Sequence, residues 1–248
     1  MYNIDAETSF GKVTLVGFGP GNPDLLTIAG DKAMNNADII FHDDLVDCKF
    51  LEKYRAQKVY VGKRCHKHSH EQDEINALML AAAYSGKKIV RLKGGDSMIF
   101  AHGGEEIEFL KFHGIEVSVI PGVSTGIAVA GLTQIPLTLR GIAKSVSFVT
   151  GHTTEVKLPN TDTLICFMAG NTIHKIAKKA IAEGRDPKTP VALVHNVSLP
   201  DQSEVITDLN MLSREEKKYP TPVIIVIGYV VSSRKEVRFP TELLSAIS

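Results

Sequence analysis

The ten residues around which the rest of the chain can be placed are Arg91-Leu92-Lys93-Gly94-Gly95-Asp96-Ser97-Met98-Ile99-Phe100. The apolar, β-branched run 88–92 predicts a strand, and two glycines then let the backbone turn sharply and approach a ligand closely. A helix is predicted from Gly103. Strand, glycine-rich turn and helix in this order build the ligand sites of open α/β sheets. A plain turn in which Asp96 caps the helix explains the same pattern, because short glycine motifs are weak indicators by themselves.

Length and composition describe an ordinary globular protein. The 248 residues suffice for one large α/β domain or for two domains of about 120 residues each. Hydrophobic residues make up 44% and charged residues 23%, and the 28 Lys plus Arg balance 28 Asp plus Glu. A net charge of zero favours neither nucleic acid nor a membrane surface, so an anionic ligand requires a local basic cluster.

Cysteine usage and hydropathy predict a soluble cytoplasmic protein. Cys48, Cys65 and Cys166 lie far apart without Cys-x-x-Cys spacing, which is typical of reduced thiols in a reducing compartment. Residues 1–7 lack a basic region followed by an apolar run, so we expect no secretory signal. The longest apolar run, 223–231, is too short to span a bilayer.

Strand and helix patterns alternate through the first half of the chain. Strands are predicted at 12–17, 38–41, 58–61, 89–92 and 116–120. Pro23 suits the first turn of a helix, and Ser69 with Gln72 fits a capping box that opens another. The inner sides of these helices are predicted to carry Leu25, Leu26, Ile28 and Ala29 in the first and Ile75, Leu78, Met79 and Ala82 in the second. Five strands with helical connections predict one mostly parallel sheet.

The second half predicts longer strands and a more mixed sheet. Helices are predicted at 124–132 and 171–183, strands at 145–150, 163–168, 190–194 and 222–231, and a short helix at the C-terminus. We interpret the chain as two α/β domains, residues 1–121 and 122–248, with the boundary between residues 121 and 141.

The loop after the first strand, Gly17-Phe18-Gly19-Pro20-Gly21, stands where a dinucleotide-binding fingerprint would lie. That fingerprint needs a third glycine at the position of Asn22. Pro20 also removes a backbone N–H that a pyrophosphate-cradling loop requires. The loop therefore favours a ligand without phosphate over NAD; a tight turn without a ligand is the alternative.

Five segments together resemble one family: Val16-Gly17-Phe18-Gly19-Pro20-Gly21-Asn22-Pro23-Asp24-Leu25-Leu26-Thr27, Val61-Gly62-Lys63-Arg64, residues 91–100, Ile120-Pro121-Gly122-Val123-Ser124 and Ile135-Pro136-Leu137-Thr138. Over residues 12–232 the chain is similar to the tetrapyrrole methylases. Residues 61–64 and 91–96 resemble the uroporphyrinogen-III C-methyltransferase branch in particular. Collinear agreement over five motifs is far more specific than any single motif.

The resemblance implies a homodimeric enzyme of two α/β domains with S-adenosylmethionine in the active-site cleft between them. Enzymes of this branch methylate C2 and C7 of uroporphyrinogen III, giving precorrin-2 for sirohaem and cobalamin biosynthesis and S-adenosylhomocysteine as the other product. The implied cofactor-binding residues are Pro20, Gly94, Gly95, Asp96, Ile99, Ser124, Thr125 and Met168. Asp43 and Lys63 match the family's general base and general acid.

The substrate implied by the resemblance carries eight carboxylates, so the protein must supply a local basic patch. Lysine and arginine bind carboxylates through charge-assisted hydrogen bonds. The candidates are Lys63, Arg64, Lys67, His68, Arg140 and Lys144, of which we assign Arg64, His68 and Arg140 to substrate binding. Because a lone basic residue is more often a solvated surface charge, Lys63 and Arg64, directly after a strand, are the better candidates.

The sequence departs from the family pattern at several positions. Asp44 stands in place of an arginine, Ser97-Met98 in place of Pro-Phe, His102 in place of an arginine and Leu139 in place of a histidine. Backbone contacts to the cofactor tolerate such changes, whereas substrate choice and acid–base roles depend on side chains.

Other functions are compatible with parts of the sequence. His66, His68 and His70 would share one face of an extended segment, but zinc needs three or four converging ligands with an ordered second shell, so we expect a solvated loop and no metal. The alternatives are methylation of a later corrin precursor or of a protein residue, a metal-dependent sirohydrochlorin chelatase, and an inactive protein that keeps the cofactor fold.

Overall fold

The computed structural model describes residues 10–44, 46, 48–62, 72–152, 157–214 and 216–234. The chain divides into two compact units, Met1–Thr125 and Gly126–Ser248. Within the described residues each unit is built on its own five-stranded sheet. The predicted α/β class with two sheets is therefore confirmed.

The first sheet consists of β1 (Lys12–Gly17), β2 (Ile39–His42), β3 (Gln57–Tyr60), β4 (Ile89–Lys93) and β5 (Glu116–Ile120). Its strands run in the order β3-β2-β4-β1-β5, and every neighbouring pair is parallel. Val90 and Leu92 pack on one face of β4 and Ile89 on the other. A strand buried on both faces reads as a continuous apolar run, which is why residues 88–92 predicted it correctly.

Helices cover both faces of this sheet: α1 (Ile28–Asn35), α2 (Cys48–Leu51), α3 (Gln72–Tyr84) and α4 (Gly103–Phe112). Residues of α1 and α2 form one core cluster with Val16 and Ile40, and residues of α3 and α4 form another with Val13 and Leu15. The chain therefore leaves the adjacent strands β1 and β4 toward opposite faces of the sheet. Such a point is where open α/β sheets form a ligand crevice.

Two predicted helix faces are wrong in part. Pro23–Leu25 is a separate 3₁₀ helix, and α1 begins only at Ile28 after a cap from Thr27. This restart changes the phase of the helix, so Ile28 is 76% exposed and Ala29 is exposed too. In α3 the buried positions fall on Ile75, Met79 and Ala83, while Leu78 points toward solvent.

The second sheet consists of β6 (Val146–Thr150), β7 (Thr163–Phe167), β8 (Pro190–His195), β9 (Ser203–Asp208) and β10 (Val223–Ile227). The order is β6-β7-β10-β8-β9. Strands β6 and β7 are parallel and the other pairs are antiparallel, which confirms the predicted mixed sheet. Strand β9 was not predicted, because most of its residues are exposed and carry no apolar pattern.

The remaining helices are α5 (Thr125–Thr133), α6 (Ile173–Ala182) and α7 (Leu209–Arg214). Residues of α6 and α7 pack with Ile225 on one side of the second sheet, and Val129 of α5 packs with Val226 on the other. The last strand ends at Ile227 instead of the predicted residue 231, because a 3₁₀ helix, Tyr229–Arg234, begins almost directly after it. The predicted C-terminal helix lies outside the described residues.

Two cysteines belong to the described part of the chain, and both are free thiols. Cys48 is exposed, whereas Cys166 lies in the core of the second sheet. Burial raises the pKa of the Cys166 thiol to about 12, so this sulfur is an inert core group at neutral pH. As to membranes, none of the helices described here combines the length and apolar character that a bilayer span requires.

The second core predicts a contrast between two isoleucines. Ile225 in the central strand β10 is fully buried, while Ile206 in the edge strand β9 is 52% exposed. Ile225→Ala should lower the free energy of unfolding by about 2–5 kcal/mol, since it removes buried methyl groups and leaves a cavity. Ile206→Ala should cost less than about 1 kcal/mol. Urea unfolding followed by circular dichroism tests this, and equal losses would contradict the burial pattern.

Candidate functional site

The loops after β1 and β4 are joined by backbone hydrogen bonds at the carboxyl edge of the first sheet. The Gly19 N–H donates to the Gly95 carbonyl at 3.1 Å, and the Gly95 N–H donates to the Gly19 carbonyl at 2.7 Å. The strand ends are in register here, with Gly17 opposite Lys93. The crevice between these two strands therefore has a fixed backbone floor.

A third loop, the one after β5, lies directly against this floor. A Cβ atom added to Gly122 would lie 2.3 Å from the Gly95 carbonyl oxygen and 2.6 Å from the Gly17 carbonyl carbon. One added to Gly17 would lie 2.5 Å from the Gly122 nitrogen. Both positions must therefore be glycine for three backbone segments to come so close.

Asp96 ties the loop after β4 to the loop after β5. Its Oδ1 accepts a hydrogen bond from the Met98 N–H at 2.8 Å, and its Oδ2 accepts one from the Gly122 N–H at 3.0 Å. Helix α4 begins at Gly103, so the alternative in which Asp96 caps this helix is wrong. Each carboxylate oxygen keeps a second lone pair with which it can accept a hydrogen bond from a ligand.

The rest of this loop is strained and partly exposed. Phe100 and His102 adopt positive φ values of 53° and 57°, which side chains rarely adopt. Gly103 donates its N–H to the Ser97 carbonyl at 3.1 Å, and a Cβ at Gly103 would lie 2.2 Å from that oxygen. Strain of this kind is common at functional sites. Sequence patterns do not indicate this strain, since neither Phe100 nor His102 is glycine.

A cluster of buried charges lies beneath the loop. Glu106 Oε1 accepts hydrogen bonds from Lys93 Nζ at 2.7 Å, Arg91 Nε at 3.2 Å and Gln72 Nε2 at 3.1 Å. Arg91 and Lys93 are each 4% exposed and Glu106 is fully buried. Burial lowers the pKa of Lys93, and the nearby Arg91 charge lowers it further. The alternation of two basic residues along a buried strand was the signal that sequence reasoning missed.

Asp43, which follows β2, faces this cluster. Its Oδ2 lies 4.0 Å from Arg91 Nη2, and its side chain is one-quarter exposed. The preceding His42 is buried, and burial lowers the pKa of its imidazole. The adjacent Asp44 is exposed and accepts a hydrogen bond from the Tyr60 hydroxyl. Among the described contacts, Asp43 therefore faces Arg91 and Asp44 is bound by Tyr60.

The remaining predicted residues fall into three groups. Pro20, Gly94, Ile99, Ser124 and Thr125 belong to the loops or loop ends at the carboxyl edge of the first sheet, and a Cβ at Gly95 would lie 3.7 Å from Thr125 Oγ1. Met168 and Arg140 belong to the second unit, where both are exposed and Met168 follows β7 with a φ of 54°. Lys63, Arg64 and His68 lie outside the described residues, as do His66, Lys67 and His70.

The chemistry available at this edge is that of carboxylates and backbone. Asp43 and Asp96 offer acceptors, and the position of Gly95 is open apart from an ordinary contact with Thr125. Within the described ranges no group of three or more His, Cys, Asp or Glu side chains is arranged to hold a metal ion. The edge therefore suits a ligand that donates hydrogen bonds or carries positive charge.

Both a family model and a protein of known sequence match most of this chain. A model of the family described as Tetrapyrrole (Corrin/Porphyrin) Methylases matches residues 12–212. The siroheme synthase of Hahella chejuensis is 40% identical over 247 residues, an alignment that covers 95% of this chain and 53% of the relative. The chain thus spans about half the length of that protein.

Two solved structures match the fold over almost the whole chain. The native uroporphyrin III C-methyl transferase of Thermus thermophilus has a TM-score of 0.80 and 35% identity, with 95% of this chain and 100% of that chain covered. A structure of the Thermus thermophilus enzyme complexed with S-adenyl homocysteine has a TM-score of 0.79 and 37% identity, with 90% and 100% covered.

The glycine contacts at the carboxyl edge predict opposite effects for two Gly→Ala substitutions. Gly122→Ala should lower the free energy of unfolding by about 1–3 kcal/mol or more, because the new methyl group meets two backbones that cannot move away. Gly131 lies in helix α5 with open space around it, so Gly131→Ala should raise the free energy of unfolding by about 0.4–1 kcal/mol. Urea unfolding of both variants measures the difference. A Gly122→Ala protein as stable as wild type would contradict the close approach.

Proposed function

The chain belongs to the tetrapyrrole (corrin/porphyrin) methylase family, and we propose that it transfers methyl groups from S-adenosylmethionine to C2 and C7 of uroporphyrinogen III, giving precorrin-2. The observation that carries this proposal is the contact of three loop backbones at the carboxyl edge of the first sheet, where the position of Gly95 is open apart from Thr125 and the Asp96 carboxylate joins two of the loops. Its support is the similarity to the Thermus enzyme, which extends over that enzyme's full length. Precorrin-2 feeds sirohaem and cobalamin biosynthesis.

The proposal concerns the methylation step. The siroheme synthase relative is about twice as long as the part this chain matches, and the reactions of its remaining half are not assigned to this chain. We further propose that the protein is a cytoplasmic homodimer. Each subunit would have two domains, residues 1–121 and 122–248. Basic side chains for the substrate carboxylates would come from Arg64, His68 and Arg140, with Lys63 as general acid.

The residues at the carboxyl edge fit S-adenosylmethionine. The position above Gly95 is open, since a Cβ there would make only ordinary contacts with Thr125. Asp96 has lone pairs for the donors of a cationic, hydroxyl-bearing molecule, and Pro20 has no N–H, which suits a cofactor without phosphates. The residues of this edge that would hold it are Pro20, Gly94, Gly95, Asp96, Ile99, Ser124 and Thr125. When bound, the cofactor supplies an electrophilic methyl group on a sulfonium centre.

The side chains then have two tasks. Holding the acceptor carbon in line with the methyl group supplies much of the rate enhancement, because a bimolecular displacement becomes effectively unimolecular. Asp43 has the task of accepting the proton that the macrocycle loses as the new carbon–carbon bond forms. Its place at the end of β2, partly exposed and facing Arg91, is compatible with contact with both substrate and solvent.

The substrate assignment predicts the product of one reaction. Incubation of the protein with S-adenosylmethionine and anaerobically prepared uroporphyrinogen III should yield a tetrapyrrole heavier by two methyl groups, detected by mass spectrometry. The reaction without S-adenosylmethionine is the control. Methylation of a later corrin precursor, with none of uroporphyrinogen III, would show that the substrate assignment is wrong; metal insertion into sirohydrochlorin without a methyl donor would indicate a chelatase.

The separate environments of three acids predict separate kinetic effects. Asp43→Ala should leave the Kd for S-adenosylmethionine within about twofold while lowering kcat about 10²-fold or more, since a general base contributes on this order. Asp96→Ala should weaken cofactor binding at least about tenfold, because two charge-assisted hydrogen bonds that order the loops are lost. Asp44→Ala should change both quantities little. Calorimetry and turnover measurements distinguish the three, and unchanged turnover of Asp43→Ala would remove Asp43 from the mechanism.

A further inference from the structure

We propose that Arg91, held by the buried Glu106, is a positioning residue that orients the Asp43 carboxylate for proton transfer, so that the charge cluster under the loop is part of the catalytic machinery. This inference rests on the proposed function only for the identity of the reaction. The orientation of Asp43 is a property of the free protein and is measurable without turnover.

The Arg91 side chain is anchored by two hydrogen bonds. Its Nε donates to Glu106 Oε1 at 3.2 Å, and its Nη1 donates to the Leu92 carbonyl oxygen at 3.1 Å. Two hydrogen bonds from different nitrogens define the plane of the guanidinium group. The third nitrogen, Nη2, is the one that lies 4.0 Å from Asp43 Oδ2. The direction of the positive charge toward Asp43 is therefore set by the anchored part of the side chain.

Glu106 is fully buried, and its Oε1 accepts hydrogen bonds from Lys93, Gln72 and Arg91. Its other oxygen, Oε2, is buried without a hydrogen-bond partner among the described residues. The carboxylate is therefore held through one oxygen, and removing a partner from a buried pair leaves an uncompensated charge. Glu106 comes from α4, whereas Arg91 and Lys93 come from β4. The cluster thus fixes the strand end that faces Asp43 against the helix that follows the loop.

Among the described residues of the cluster, two bases, Arg91 and Lys93, contact one buried acid, Glu106. Asp43 is a second acid on the more exposed side of Arg91, with its Oδ2 4.0 Å from Arg91 Nη2. Arg91 therefore lies between a buried carboxylate and a partly exposed one, and its hydrogen bond to the buried one sets the side that it turns toward Asp43.

The distance of 4.0 Å is longer than a hydrogen bond. Catalytic hydrogen bonds are often long in ligand-free structures and shorten in the complex. In the reaction a C–H bond of the methylated macrocycle breaks, its electron pair stays on the ring, and the proton moves to an Asp43 oxygen. The Arg91 guanidinium attracts the other oxygen, Oδ2, and with the shortened distance would keep the accepting lone pair in one direction. No oxidant or further reactant is needed.

The experiment combines a double-mutant cycle with a spectroscopic measurement. Arg91→Met should lower kcat about 10–100-fold with little change in KM or in the Kd of S-adenosylmethionine, because misplacement of a catalytic group by about 1 Å costs on this order. In an Asp43→Asn background the same Arg91→Met change should lower kcat less than about twofold, because residues that act as a unit are non-additive. Glu108→Gln, at an exposed position of α4, is the matched control and should leave kcat, KM and the Kd of S-adenosylmethionine unchanged.

The spectroscopic arm uses the free protein with ¹³C-labelled aspartate. The Asp43 carboxyl resonance, assigned by its loss in Asp43→Asn, should move in Arg91→Met and in Glu106→Gln and should stay in place in Glu108→Gln. Arg91→Lys keeps the buried charge but loses the planar fork, so it should shift the resonance and lower kcat too; it replaces Arg91→Met if that variant does not fold.

The outcomes separate the two proposals. An unmoved Asp43 resonance in a folded Arg91 variant would overturn the positioning role, and so would equal effects of Arg91→Met with and without Asp43. A wild-type protein that does not methylate uroporphyrinogen III, but whose Asp43 resonance responds to Arg91 as described, would overturn the substrate assignment and leave the positioning of Asp43 standing.

Discussion

The close approach of three backbones at Gly17, Gly95 and Gly122 is the constraint on which the carboxyl edge of the first sheet depends. Added Cβ atoms would lie within 2.3–2.8 Å of backbone atoms at Gly17 and Gly122, so these contacts tolerate no side chain. Backbone groups so close must also satisfy one another's hydrogen bonds. The pair between Gly19 and Gly95 does this for two loops, and the Asp96 carboxylate does it for the third.

This floor and the charge cluster support each other through the loop between β4 and α4. Residues held at positive φ cost free energy and persist only where the surroundings determine them. Phe100 and His102 lie between two fixed points, the hydrogen bonds of Asp96 at one end and the contact of Gly103 with Ser97 at the other. Glu106, in the first turn of the helix, is bound to β4 through Lys93. The strained segment thus has both ends attached to the same strand.

The sequence correctly predicted the elements whose residue types reflect whether they are buried or exposed. Continuous apolar runs identified the buried strands, and alternating helical connections identified the parallel sheet. Strand β9 could not be found, because its two apolar residues, Val205 and Ile206, are adjacent and exposed instead of alternating with polar ones. The predicted buried face of α1 was wrong, because Thr27 caps a new helix after Pro23–Leu25. This change of helical phase depends on a single hydrogen bond, from the Gly30 N–H to Thr27 Oγ1.

The location of the site could be predicted from the sequence better than the contacts between its residues. The glycine pattern and the family resemblance placed Asp96 at the crevice, but that its carboxylate joins two loops depends on Gly122, which lies 26 residues away. The pairs of Glu106 with Arg91 and with Lys93 join a strand to a helix over 15 and 13 residues, respectively. No local pattern distinguishes such buried charges from a solvated surface pair, since their burial is decided by the packing of α4 on the sheet.

The positions of the departures from the family pattern follow from the same constraint. Ser97, Met98 and His102 all belong to the loop between β4 and α4, whereas Gly17, Gly95, Asp96 and Gly122 form the floor. Ser97 is buried, but Met98 is 54% exposed and His102 is exposed as well. Asp44 is likewise exposed and accepts a hydrogen bond from the Tyr60 hydroxyl. Variation at the exposed positions changes what the loop presents to a substrate, while the backbone floor stays the same. The side of the site that would hold the methyl donor is therefore more constrained than the side that would select the acceptor.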